Sequence, residues 1–208
     1  MRRVIAALSI PFLLLLMSCQ TTPSPASVLN TVPPSLRIPT TVERLAVFYP
    51  KTENREFIDA YSRLAGAAFQ FKEQRPALQI VDRVNLTIIL REQSLELSGA
   101  VSDETAMHLG RLLGADSILL YQIDGPTFQD RVRAEFFYGE PPPFTVISKI
   151  IRVESGEVVY HNVVTAPVMQ SHQSFLSLDR EAPHDLTFLT ALDRGVAQTI
   201  GDLQHAFR

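Results

Sequence analysis

The sequence predicts an α/β fold: a mixed β-sheet flanked by helices, in the order strand–helix–strand–helix–helix–strand, then a β-hairpin and a C-terminal helix. Three observations carry this expectation. Short apolar runs at 44–49, 78–81 and 117–123 alternate with longer stretches of helical periodicity. The last of these runs, Ser117-Ile-Leu-Leu-Tyr-Gln-Ile123, is apolar almost throughout, which suits a strand near the centre of a sheet. Finally, Glu154-Ser-Gly-Glu157 separates two strand-like segments, 145–153 and 157–166, and its glycine permits a tight turn.

The chain opens with Arg2 and Arg3 and an apolar run from Val4 to Met17. Those 14 residues are too few to span a bilayer as a helix, so residues 1–18 read as a signal peptide. The run ends in Leu16-Met17-Ser18-Cys19, which matches a bacterial lipobox and makes Cys19 the expected lipidation site. Gln20 follows, not Asp, which by analogy with enterobacterial sorting points to the periplasmic side of the outer membrane. Residues 19–41 hold Pro23, Pro25, Pro33, Pro34 and Pro39 among Ser and Thr, and read as the lipidated cysteine and a linker. The domain proper is expected over 42–208.

Within it, Arg44 to Tyr49 is the first strand, stopped by Pro50. Phe57, Ile58, Tyr61, Leu64, Ala65, Ala68 and Phe69 then give one continuous helical face, read as core. Leu78, Ile80 and Val81 form a short buried strand behind Pro76. Val84, Ile88 and Leu95, widened by Leu86, Ile89 and Leu90, predict a helix closed by Gly99. Ser102 stands where an N-cap belongs, because its hydroxyl can accept from free backbone N–H groups. Asp103 and Glu104 suit the positive end of the helix dipole. Ala106, Leu109, Leu112 and Leu113 supply an apolar stripe, and Gly114 a permissive residue after the helix end.

From Pro126 the pattern changes. Phe128, Val132, Ala134, Phe136 and Tyr138 share one parity, while Gln129, Arg131, Arg133 and Glu135 share the other. This predicts one half-exposed strand ahead of Gly139 and Pro141, Pro142 and Pro143. After the hairpin, Pro167 to Asp185 is irregular. Leu186 to Phe207 is a helix with Leu189, Leu192, Val196, Ile200, Leu203 and Phe207 on its apolar side. Neither irregular segment, Pro126–Phe144 or Pro167–Asp185, carries the two unbroken strands of a spanning barrel hairpin, which needs roughly 20–24 residues.

Composition narrows the chemistry. The formal charge is −3; removing residues 1–18 takes away Arg2 and Arg3 and no acid, leaving 17 bases against 22 acids. Nucleic-acid binding by phosphate neutralisation is therefore not expected. One cysteine excludes an intrachain disulfide and any cysteine-cluster metal site. His108, His161, His172, His184 and His205 show no ligand spacing, so no metal is expected. No nucleophile elbow, phosphate loop or dinucleotide fingerprint is present, and no cofactor is implied. Asp82 reads as a helix cap and Arg83 as solvated. Glu92 and Gln93 diverge by about 100° on a helix and make no acid–base pair. No catalytic residue is assigned, and the chain is read as non-enzymatic.

Ile80-Val-Asp-Arg83, Leu86, Ile89-Leu90, Glu92-Gln93, Leu95, Ser98-Gly99 and Leu109-Gly110-Arg-Leu-Leu-Gly-Ala-Asp116 together resemble the CsgG family, the curli secretion and assembly lipoproteins. Val153-Glu-Ser-Gly-Glu157, Asp193-Arg194-Gly195 and Asp202-Leu203-Gln204 echo it more weakly. The resemblance implies a periplasmic domain held to the outer membrane by a lipid on Cys19. It would act in envelope assembly or secretion and be able to form a homo-oligomeric ring, with an exported protein as partner. The alternative is a regulatory binding module, like related lipoproteins of similar fold that activate a penicillin-binding protein, the partner then being a cell-wall synthase.

Overall fold

The computed structural model describes residues 29–30, 37–81, 102–137, 141–168 and 184–208. Its strands are β1 (Leu29–Asn30), β2 (Arg44–Phe48), β3 (Gln79–Val81), β4 (Ser117–Asp124), β5 (Phe144–Arg152) and β6 (Val158–Ala166). The helices described are α1 (Arg55–Gln74), α2 (Asp103–Leu112), α3 (Phe128–Phe137) and α4 (His184–Ala206). One mixed sheet takes the strands in the order β1-β6-β5-β4-β2-β3. β2 is parallel to both β3 and β4, and the remaining pairs are antiparallel. This is the α/β architecture read from the sequence, with its hairpin (β5–β6) and its closing helix.

The apolar run at 117–124 is central, as expected. It pairs with β2 on one side and along its whole length with β5 on the other, from Ser117↔Arg152 to Asp124↔Thr145. Ile118 and Leu119 are both 0% exposed because the sheet is covered on both faces. On the first face lie α1 and α4, with Tyr61, Leu64, Phe71, Leu119, Val146 and Leu203 in one core. On the second lies α2, where Ala106 and Leu109 meet Phe48, Ile118 and Ile151. Burying each such large side chain contributes about 1.5–3 kcal/mol.

Local signals set the ends of the elements. The Ser102 hydroxyl accepts from the Thr105 N–H at 3.2 Å, and Gly114 takes φ +63° just past α2. Gly110 packs so closely that a Cβ there would lie 2.6 Å from Val153 Cγ2. The Asp116 carboxylate accepts from the backbone N–H groups of Glu43 (2.9 Å) and Arg44 (2.6 Å), seating the start of β2 beside that of β4. In the hairpin Gly156 has φ +71°, and a bulge between Ile150 and Ile151 turns both Val159 and Tyr160 inward.

Several expectations are corrected. Residues 128–137 are a helix, not a strand. Its start is a reciprocal capping box: Thr127 Oγ1 accepts from the Asp130 N–H at 3.2 Å, and Asp130 Oδ2 accepts from the Thr127 N–H at 2.9 Å. Two orphan donors are satisfied at once, and this outweighs the accidental alternation of the segment. Among the described strands β3 lies at the edge: Leu78 just before it is 0% exposed as expected, but Ile80 and Val81 are only half-buried and Gln79 is exposed. The predicted helix over 84–98 lies outside the described residues, as does most of Pro167–Asp185.

Packed structure also begins inside the segment read as linker. Leu29 and Asn30 pair with Thr165 and Val164 of β6, while Ile38 and Val42 are 2% and 0% exposed. The Arg75 guanidinium fastens this stretch, donating to the carbonyls of Ile38 (2.7 Å) and Pro39 (2.8 Å) while lying 5.2 Å from the Phe207 ring centroid.

Candidate functional site

The residues singled out for chemistry are not brought together. Cys19, Asp82, Arg83, Glu92, Gln93 and His172 lie outside the described residues, and of His184 only the backbone is described. His108, His161 and His205 are exposed on α2, β6 and α4 respectively. Among the described residues no group of three His, Cys, Asp or Glu side chains is placed to hold a metal ion. No described helix is long and apolar enough to cross a membrane.

Two recesses open at the surface. The first, about 230 Å³, lies on the second face beside the start of α2, between Pro50, Leu120, Ile147 and His161. Lys149 and Asp103 form an ion pair across it at 2.6 Å. The second, about 370 Å³, lies at the C-terminal end of β4, where Asn54 and Thr127 cap α1 and α3. Here Arg131 donates to both oxygens of Glu56, at 3.0 and 2.5 Å, and its guanidinium sits 4.8 Å from the Phe188 ring centroid. The Arg131 hydrogen bond holds the Glu56 carboxyl below its ordinary range, burial opposes that shift, and the Arg131 charge reinforces it. With its fork spent on Glu56, Arg131 acts as a lock between α1 and α3, not as an acid–base group. Gly125 lets the chain pass: a Cβ there would lie 2.3 Å from the Phe144 ring.

The feature that sequence reasoning missed is a second stripe on α1. The residues that reach the core are Ala60, Tyr61, Leu64, Ala67, Ala68 and Phe71. Ile58 and Phe69, read as core, are 43% and 57% exposed. On the helical wheel they lie about 100–120° from Phe57, too far round to reach the sheet, and within about 20° of each other. Half-buried Ala65 and exposed Ser62 lie between them along the axis, so this flank of α1 carries a broken apolar strip whose two large members stand about 16 Å apart. Leu189, also expected in the core, is 38% exposed on α4. Counting positions on the wheel would have separated the two stripes of α1.

Fold and surfaces together define a small α/β domain with two recesses and exposed apolar side chains on α1 among its described residues. No family model and no curated protein matches the chain. Among solved structures it is similar to the PelC dodecamer from Paraburkholderia phytofirmans, at 18% identity and TM-score 0.39, covering 86% of this chain and 97% of that one. It is also similar to the LpoB C-terminal domain from Escherichia coli (15% identity, TM-score 0.41, 62% and 84% covered). A third is the lipoprotein GNA1162 from Neisseria meningitidis (11%, TM-score 0.42, 76% and 96% covered).

The CsgG assignment is corrected: no family model matches the chain, that of CsgG included. Of the residues that suggested it, those described have structural duties. Leu109 is core, Gly110 is a close-packing position, Gly114 is a left-handed helix end, and Asp116 ties strand starts together.

Proposed function

We propose that the chain is a lipid-anchored protein of the bacterial envelope that acts by binding and not by catalysis. In this reading Cys19 holds it to the periplasmic side of the outer membrane, and the domain regulates a protein partner, a cell-wall synthase of the penicillin-binding class. The observation that carries the binding role is the Ile58–Phe69 strip, two large apolar side chains left in water on one flank of a well-packed helix. The lipobox ending at Cys19 supports the location. Photo-crosslinking in cells, with a benzophenone amino acid in place of Phe69 in the full lipidated chain, tests both. The expected product joins this chain to a penicillin-binding protein and disappears when Ile58→Ser is added. Adducts formed only with other envelope proteins would overturn the choice of partner. If none forms with any protein, the strip is not a binding surface.

A second reading, self-association, has β3 in its favour, a short strand at the edge of the sheet. Crosslinks between two copies, and a mass several times that of one processed chain by mass photometry, would select it.

A further inference from the structure

Beneath α4 the first-face core contains a row of polar side chains. Tyr121, Ser148 and Asn162 are successive Cα partners across β4, β5 and β6, so all three leave the sheet on the same face. Tyr160, two residues before Asn162, points the same way. Each of the four is at most 2% exposed. From above, Asp202 of α4 closes the row, accepting from Asn162 Nδ2 and from Gln198 Nε2, both at 2.8 Å. Four buried atoms have no protein partner at full hydrogen-bond geometry: Tyr121 Oη, Ser148 Oγ, Tyr160 Oη and Asn162 Oδ1.

These four belong to one cluster. Burial, then the Asp202 charge, push the Tyr160 phenol up to about 12, while hydrogen-bonding contact with the Ser148 and Asn162 side chains opposes the shift. Burial, then Tyr160, push Tyr121 up as well. Left bare, four such atoms would cancel much of the net stability of a domain this size. Their donor and acceptor capacities are complementary to one small molecule. Asn162 Oδ1 only accepts, whereas each hydroxyl both donates and accepts. A water molecule can take the phenol hydrogens of Tyr121 and Tyr160 and give its own two to Asn162 Oδ1 and Ser148 Oγ. Ser148 is the smallest inward residue of β5, beside Phe144, Val146 and Ile150.

We infer that the row beneath Asp202 is a built binding site for one ordered water molecule, hydrogen-bonded to Tyr121, Ser148, Tyr160 and Asn162. This site lies in the core and is independent of the partner reading. Magnetic relaxation dispersion of water oxygen counts internal waters that outlive tumbling. On the full chain that count should fall by about one in the Tyr121→Phe/Ser148→Ala/Tyr160→Phe variant. An unchanged count overturns the inference. Should the variant fail to fold, a high-resolution crystal structure of the unaltered protein decides. Density within about 3.2 Å of all four atoms supports the site. Direct hydroxyl–hydroxyl bonds with no density between them refute it.

Discussion

Glu56 and Arg131 face each other fork to fork, 75 residues apart in the chain, and join the first turn of α1 to α3. Their side chains are 26% and 18% exposed, so water screens the pair only in part. Because the folded Glu56 pKa is lowered, its stabilisation is complete above the ordinary glutamate value of 4.5 and is lost as pH falls through the folded value. Glu56→Gln should therefore destabilise by about 1 kcal/mol at neutral pH. The gap to the unaltered protein should close as acid is added. Urea midpoints at pH 7 and in the acid range check this; a gap that widens in acid reverses the sign.

Leu119→Asp should unfold the domain. Leu119 is 0% exposed in the middle of β4, where a carboxylate finds neither solvent nor a partner. The loss, roughly 5 kcal/mol, approaches the whole stability of a small domain. Circular dichroism should show no cooperative melt, and a native melt would displace β4 from the centre.

Two changes probe the start of α3. Thr127→Ala removes the capping box and should cost about 1 kcal/mol. Gly125→Ala drives a methyl into the rigid Phe144 ring and should cost about 2 kcal/mol. Equal denaturation midpoints for both variants and the parent would contradict these packing assignments.

Cys19→Ser should release the protein from membranes, since no described helix can span a bilayer and the lipid on Cys19 is the proposed anchor. Detergent phase partitioning reads the outcome. A serine variant that still follows the detergent phase points to an uncleaved signal anchor or another membrane contact.

What could be read directly from the residues was local. Ser102 and Gly114 announce the ends of α2, Gly156 marks the hairpin, and unbroken apolarity marks β4 as central. The start of α3 was equally local, Thr127 with Asp130 three residues on, but the alternation of 128–138 competed with it. On α1 the apolar residues are right, yet hydrophobicity alone does not tell Phe71, fully buried, from Phe69, mostly in water. The polar row at Tyr121, Ser148 and Asn162 depends on the registers of three strands. Nothing in the sequence prints those registers.

The pairing of Leu29 and Asn30 with β6 has a consequence for altitude. With the proposed lipid on Cys19, the stretch from Gln20 to Thr41, counted as free chain, would let the domain rise as far as about 70 Å. With β1 docked, the nine residues 20–28 can bridge at most about 30 Å. Two residues of ladder make a weak catch. A target within the shorter radius is met with the leash reeled in, whereas a more distant one is reached only by peeling β1 from Val164 and Thr165.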